Sequence, residues 1–156
     1  MKINGKNLVF LLLVVFILFF QTSCRNKEKE EQAWEKYKNF SQLSKKYESN
    51  PEKFNSDLEA ISKEMDDILP DIKDPEKRGE VLSLKAYSVG ILGRETGVEE
   101  LFDEATKMSP QNYLVYLRYG KYSYLQDKKT KALNFLENSL NYMPEHLIEP
   151  RIEALF

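Results

Sequence analysis

The chain has 156 residues, 42% hydrophobic and 31% charged, with a net charge of −2, enough for one domain and a leader. Residues 1–23 hold Lys2 and Lys6 and no acid, so a chain without them carries −4, which excludes the basic footprint of a general nucleic-acid binder. Cys24 is the one cysteine and His146 the one histidine. Neither an internal disulfide nor a Cys/His zinc cluster can therefore form, and there is no Gly-rich phosphate loop. No catalytic residue, metal or cofactor is expected.

Lys2 and Lys6 precede an unbroken apolar run over residues 8–20. That run is shorter than the roughly 20 residues of a membrane-spanning helix and suits the core of a signal peptide. Gln21, Thr22, Ser23 and Cys24 follow at once. Small residues before a cysteine, directly after such a run, resemble the bacterial lipoprotein box, with Gln21 where an aliphatic residue is usual. The resemblance implies removal of residues 1–23, acylation of Cys24 and residence in the cell envelope, on the periplasmic or exterior side of a membrane. Two or more acyl chains give stable anchoring where one gives marginal binding. The alternative is an incidental thiol after an ordinary signal sequence or an uncleaved anchor.

Residues 24–32 then form the lipidated cysteine and a charge-balanced tether without apolar residues beyond Cys24. A helical hairpin is expected over 33–72. In its first helix, 33–48, Ala33, Trp34, Tyr37, Phe40, Leu43 and Tyr47 lie near one stripe. The width of the stripe favours a helix packed on the rest of the fold over one lying on a membrane. Asn50-Pro51 opens the second helix, 51–69, with Asn as N-cap and Pro in the first helical position. Phe54, Leu58, Ile61, Met65 and Ile68 give its packing face, and Pro70 ends it.

The remaining segment, 75–156, carries a longer period. Pro110 and Pro144 stand about 34 residues apart, with Tyr116, Tyr119, Gly120, Ala132 and Leu136 in order between them. This resembles the tetratricopeptide repeat, a helix–turn–helix module of that length, with Tyr116 in place of Trp and Ser123 in place of Tyr. An earlier unit over Gly79 to Pro110 places Leu82, Ala86, Val89, Val98, Phe102 and Ala105 at core positions, with Lys85 where Leu is usual. Asp74-Pro75 starts its first helix, and Thr96-x-x-Glu99 reads as a capping box for its second. Asp127 is the expected cap of the last helix, in which Ala132, Leu133, Phe135, Leu136, Leu140 and Met143 form an apolar stripe. Gly120 is tolerable in a helix if the following helix passes close to it. After Pro144, Ile148, Ile152, Leu155 and Phe156 suit a C-terminal cap over the last unit. The fold class is therefore all-α, a short solenoid of about two clear repeats with capping helices at both ends.

In the family that the repeats resemble, first helices line a concave groove for a protein or peptide partner. The resemblance places Leu114, Leu117, Lys121 and Tyr124 there from one unit, and Glu80, Ser83, Tyr87 and Gly90 from the other. Arg118 and Lys121 suit a partner's carboxylate. Tyr113, Tyr116, Tyr119 and Tyr122 step by three and spread over about half a helix circumference, so Tyr116 and Tyr119 are assigned to the core, and Tyr122 and Tyr124 to partly exposed positions. The leading expectation is a lipid-anchored adaptor of the bacterial envelope that binds a protein. One alternative is a structural subunit of an envelope assembly or transport complex, buried through its outer faces. The other, a small-ligand receptor or enzyme, lacks any convergent polar constellation.

Overall fold

A computed structural model describes residues 26–41, 51–94 and 96–147, with only the backbone at 51–54. Among these residues the protein is all-α, with no strand. Helix α1 covers 26–41. It is followed by α2 (Pro51–Ile68), α3 (Pro75–Ile91), α4 (Val98–Met108), α5 (Tyr113–Leu125), α6 (Lys129–Tyr142) and a 3-10 turn (Glu145–Leu147).

Helix starts follow local chemistry, though not always at the expected residue. The Asp74 side chain accepts a hydrogen bond from the Lys77 amide at 2.9 Å, with Pro75 next in line, so a free amide at the start of α3 is satisfied. Asn112 does the same for Leu114 at 3.0 Å and opens α5. Thr96 and Asp127 do not cap. Gly97, at φ 81°, is the N-cap of α4. Asp127 takes the left-handed conformation at φ 57°, and Lys128 opens α6 without a side-chain cap. Helix α1 is already formed at residue 26, the first described residue, so most of the expected tether is helical. Glu30 explains part of this, because its carboxylate accepts the Asp74 amide at 3.1 Å at the positive end of α3. Asn50 and the end of the expected first helix, 42–48, lie outside the described residues, as do residues 148–156 of the expected C-terminal cap.

Contacts between helices set their directions. Glu30, Trp34 and Tyr37 of α1 meet Asp74, Lys77 and Glu80 in order, so α1 runs parallel to α3. Asp66 and Glu59 of α2 pair with Lys85 and Arg94, which makes α2 antiparallel to α3. Asn112, the N-cap of α5, and Arg118 within it reach Glu80 and Ser83, so α5 is parallel to α3 again. The result is three up-and-down hairpins, with α1, α3 and α5 pointing one way and α2, α4 and α6 the other. Gly79 lets α4 close on α3, since a Cβ there would lie 2.8 Å from the Ala105 carbonyl oxygen. Gly120 lets α6 close on α5, since its Cβ would lie 2.8 Å from Leu136 Cγ.

Two apolar clusters hold the hairpins. One gathers Tyr37, Ile61, Met65, Ile72 and Leu84 with their neighbours from α1, α2 and α3. The other is aromatic: Phe102 stacks on Tyr119 at 4.5 Å between ring centres, and Tyr119 on Phe135 at 3.9 Å. Tyr122 also belongs to it and is buried, not partly exposed as its position in the tyrosine series suggests. Its ring lies against Gly90, where a Cβ would come within 2.6 Å. Leu133 and Leu140, assigned to the stripe packed on α5, are instead 57% and 56% exposed on the outer side of α6.

Two substitutions should move stability in opposite directions. Gly79→Ala forces a methyl against backbone, a cost of about 1–3 kcal/mol for overpacking that exceeds the gain of about 1 kcal/mol in helix propensity. Ser123→Ala removes a buried hydroxyl that has no hydrogen-bond partner among the described residues and should stabilise by up to about 1 kcal/mol. Urea unfolding of the detergent-solubilised chain checks both. A Gly79→Ala midpoint at or above the parent's, or a lowered Ser123→Ala midpoint, contradicts this packing.

Candidate partner-binding face

Helices α3 and α5 lie side by side, with Glu80 and Tyr87 on one and Leu114, Leu117, Arg118, Lys121 and Tyr124 on the other; Ser83 and Gly90, expected in the groove, are buried between helices. Helix α1 lies over the part of α3 and α5 nearer their N-termini. Arg118 is only 8% exposed, and its guanidinium is hydrogen-bonded on every side that the neighbouring helices offer. Nη1 donates to the Glu80 carbonyl oxygen at 2.9 Å and to Ser83 Oγ at 2.8 Å. Nη2 donates to the Tyr37 hydroxyl at 3.0 Å and to Ser41 Oγ at 3.3 Å. Its carbon also sits 5.9 Å from the Tyr37 ring centre, within cation–π range.

All four acceptors are neutral, so the charge balance comes from farther away. Tyr37 donates its proton to Glu80 Oε1 at 2.6 Å, and Asn112 donates to Glu80 Oε2 at 2.7 Å. The chain of bonds Arg118–Tyr37–Glu80 joins a buried cation to a partly buried anion through one phenol. Burial first, with the Glu80 carboxylate adding to it, pushes the Tyr37 hydroxyl from 10.0 up to about 12, although Arg118 pulls the other way.

The expected site residues therefore divide. Arg118 faces α1, not an open groove. Leu114 and Leu117 are half-buried on α5, and Lys121 is exposed. Tyr124 is 65% exposed. Tyr87 is half-buried against the aromatic cluster. Leu125, beside Tyr124, is 59% exposed and was not singled out by the sequence pattern; its place as the last residue of α5 is the signal. Cys24 lies outside the described residues.

Lysines crowd the α5–α6 corner. Lys128 and Lys131 share the Glu99 carboxylate at 2.5 and 2.7 Å, and their hydrogen bonds hold Glu99 below its usual carboxylate pKa. Lys129 pairs with Asp127 at 3.3 Å. These exposed pairs add little stability. His146 is exposed in the 3-10 turn. Among the described residues no group of three His, Cys, Asp or Glu is arranged to hold a metal ion, and no helix is long and apolar enough to cross a membrane. No protein-family model matches the chain, and neither the curated proteins nor the solved structures compared with it contain a match.

The Tyr37 hydroxyl gives the site a pH signature. Its folded pKa lies above the unfolded value, so its contribution is complete below pH 10.0 and is lost as the pH rises towards about 12. Tyr37→Phe should cost about 1–3 kcal/mol at neutral pH, because a buried donor and acceptor lose their partner. The stability gap between parent and variant should narrow as the pH rises through that window. Chemical unfolding at stepped pH measures it; an unchanged gap, or none at neutral pH, contradicts the network.

Proposed function

We propose that this protein is a lipid-anchored, tetratricopeptide-like adaptor of the bacterial envelope, which binds a protein segment on the half of the α3–α5 face nearer the ends of those two helices. The observation that carries the reading is the arrangement of three hairpins whose first helices run parallel, α1, α3 and α5. This is the order that stacked helix–turn–helix repeats adopt, and it accompanies the proline spacing of about 34 residues. The leader and Cys24 supply the envelope and membrane part of the proposal from sequence alone. Arg118 is withdrawn from the binding role, because its donors are engaged within the fold. The binding residues are Leu117, Lys121 and Tyr124, with Leu125 and Tyr87 at the margin. Exposed tyrosine beside aliphatic surface is the composition that interfaces favour.

A second reading is favoured by a different surface. Leu133 and Leu140 stand one above the other, two helical turns apart, on the outer side of α6, both more than half exposed. A structural subunit buried through α6 in a permanent complex would cover them.

Affinity capture with crosslinking from native membranes separates the two. The intact lipoprotein is compared with a Leu117→Ala, Lys121→Ala, Tyr124→Ala variant of unchanged helical melting, and with a Leu133→Ser, Leu140→Ser variant. The adaptor reading expects a partner that the first variant loses at least tenfold and the second retains. Retention by the first and loss by the second transfers the function to α6. Capture of no protein by the parent contradicts both.

A further inference from the structure

We infer that the protein stands on the membrane by one defined end: the turns between hairpins, at Pro70–Lys73 and Pro110–Gln111, and the turn after α6 face the phospholipid surface, while the hairpin tips at Gly93–Arg94 and Asp127–Lys129 face away. The inference rests on acylation of Cys24, proposed above, and goes beyond it by fixing which surface meets lipid.

The geometry is short. Cys24 precedes the first described residue of α1 by two residues, a length of chain of at most about 8 Å. Glu30 is bound at the N-terminus of α3, where it accepts the Asp74 amide, and Trp34 and Tyr37 follow at Lys77 and Glu80. The start of α1 is thus held at the end of the fold that carries the starts of α3 and α5 and the ends of α2, α4 and α6. Helix α3 has 17 residues, so the opposite end lies about 25 Å farther along its axis.

The two ends differ in what they show. The turn end exposes Pro70, Lys73, Pro110, Gln111 and Pro144, with Lys73 donating to the Pro70 carbonyl oxygen. The turn end also carries exposed acids, Asp74, Glu76 and Glu145, so its approach to lipid is set by where α1 starts and not by its charge. The tip end carries Tyr124 and Leu125. The exposed apolar pair of the binding face is thereby presented to the aqueous side, where a protein partner reaches it without competing with lipid.

The single cysteine makes the test clean. Acylated at Cys24, the mature chain has no free thiol, so Gln111→Cys and Thr130→Cys each provide one labelling position, both exposed. Each lipoprotein carries a bimane label in vesicles of phosphatidylethanolamine and phosphatidylglycerol with a headgroup nitroxide quencher. The label at 111 should be quenched at least threefold more than the label at 130. Equal quenching, or stronger quenching at 130, overturns the inference while leaving the anchor intact. Mass spectrometry of the Cys24 peptide reads the anchor separately; a free thiol there overturns the anchor and this orientation together.

Discussion

Taking the Arg118 guanidinium out of water costs several kcal/mol, and the fold meets that cost by bringing three helices to it. Helix α3 contributes a carbonyl oxygen and the Ser83 hydroxyl, α1 the hydroxyls of Tyr37 and Ser41, and α5 the arginine itself. Glu80 stands one bond beyond and supplies the negative charge. Each acceptor has a position that only one sliding register of its helix satisfies. Apolar contacts between helices tolerate a slip of a few ångströms more readily than this set of bonds does. The parallel order of α1, α3 and α5 is thereby pinned at one height.

That constraint also decides which half of the α3–α5 face is exposed. The half of the α3–α5 face nearest the helix starts is occupied from within, by α1 and its polar bonds. The half nearest the tips keeps Lys121 and Tyr124 towards solvent. The same feature that orders the fold therefore leaves the exposed side chains at the half of the face away from the start of α3.

Local chemistry was legible in the chain and long-range chemistry was not. Asp74-Pro75 announced α3 because a cap and its amide lie three residues apart. Leu82, Ala86, Phe102 and Ala105 were placed by the core positions of the repeat that the chain resembles, and the first two are buried in α3 and the last two in α4. Gly120 was assigned to a close approach, and Leu136 is the side chain that approaches. Arg118 was beyond reach, because Tyr37 lies 81 residues away and no period links the two. Leu133 and Leu140 show another limit. Period gives an apolar stripe, but a stripe wider than its neighbour leaves one edge uncovered, and sequence does not say which. The capping errors at Thr96 and Asp127 share a cause: Gly97 and Asp127 take left-handed conformations that shift the helix start by one residue.

The most direct measurement is native-state hydrogen exchange on an Arg118→Met variant, which keeps an unbranched chain in α5 and removes the guanidinium. If Arg118 fastens the hairpins, amides of α1 should lose protection at least tenfold, while those of α6, which packs on the opposite side of α5, stay within about threefold of the parent. Unchanged protection in α1 would contradict the account, because the apolar contacts alone would then hold the register. An equal loss in every helix would contradict it too, by making Arg118 a general support and not the joint between hairpins.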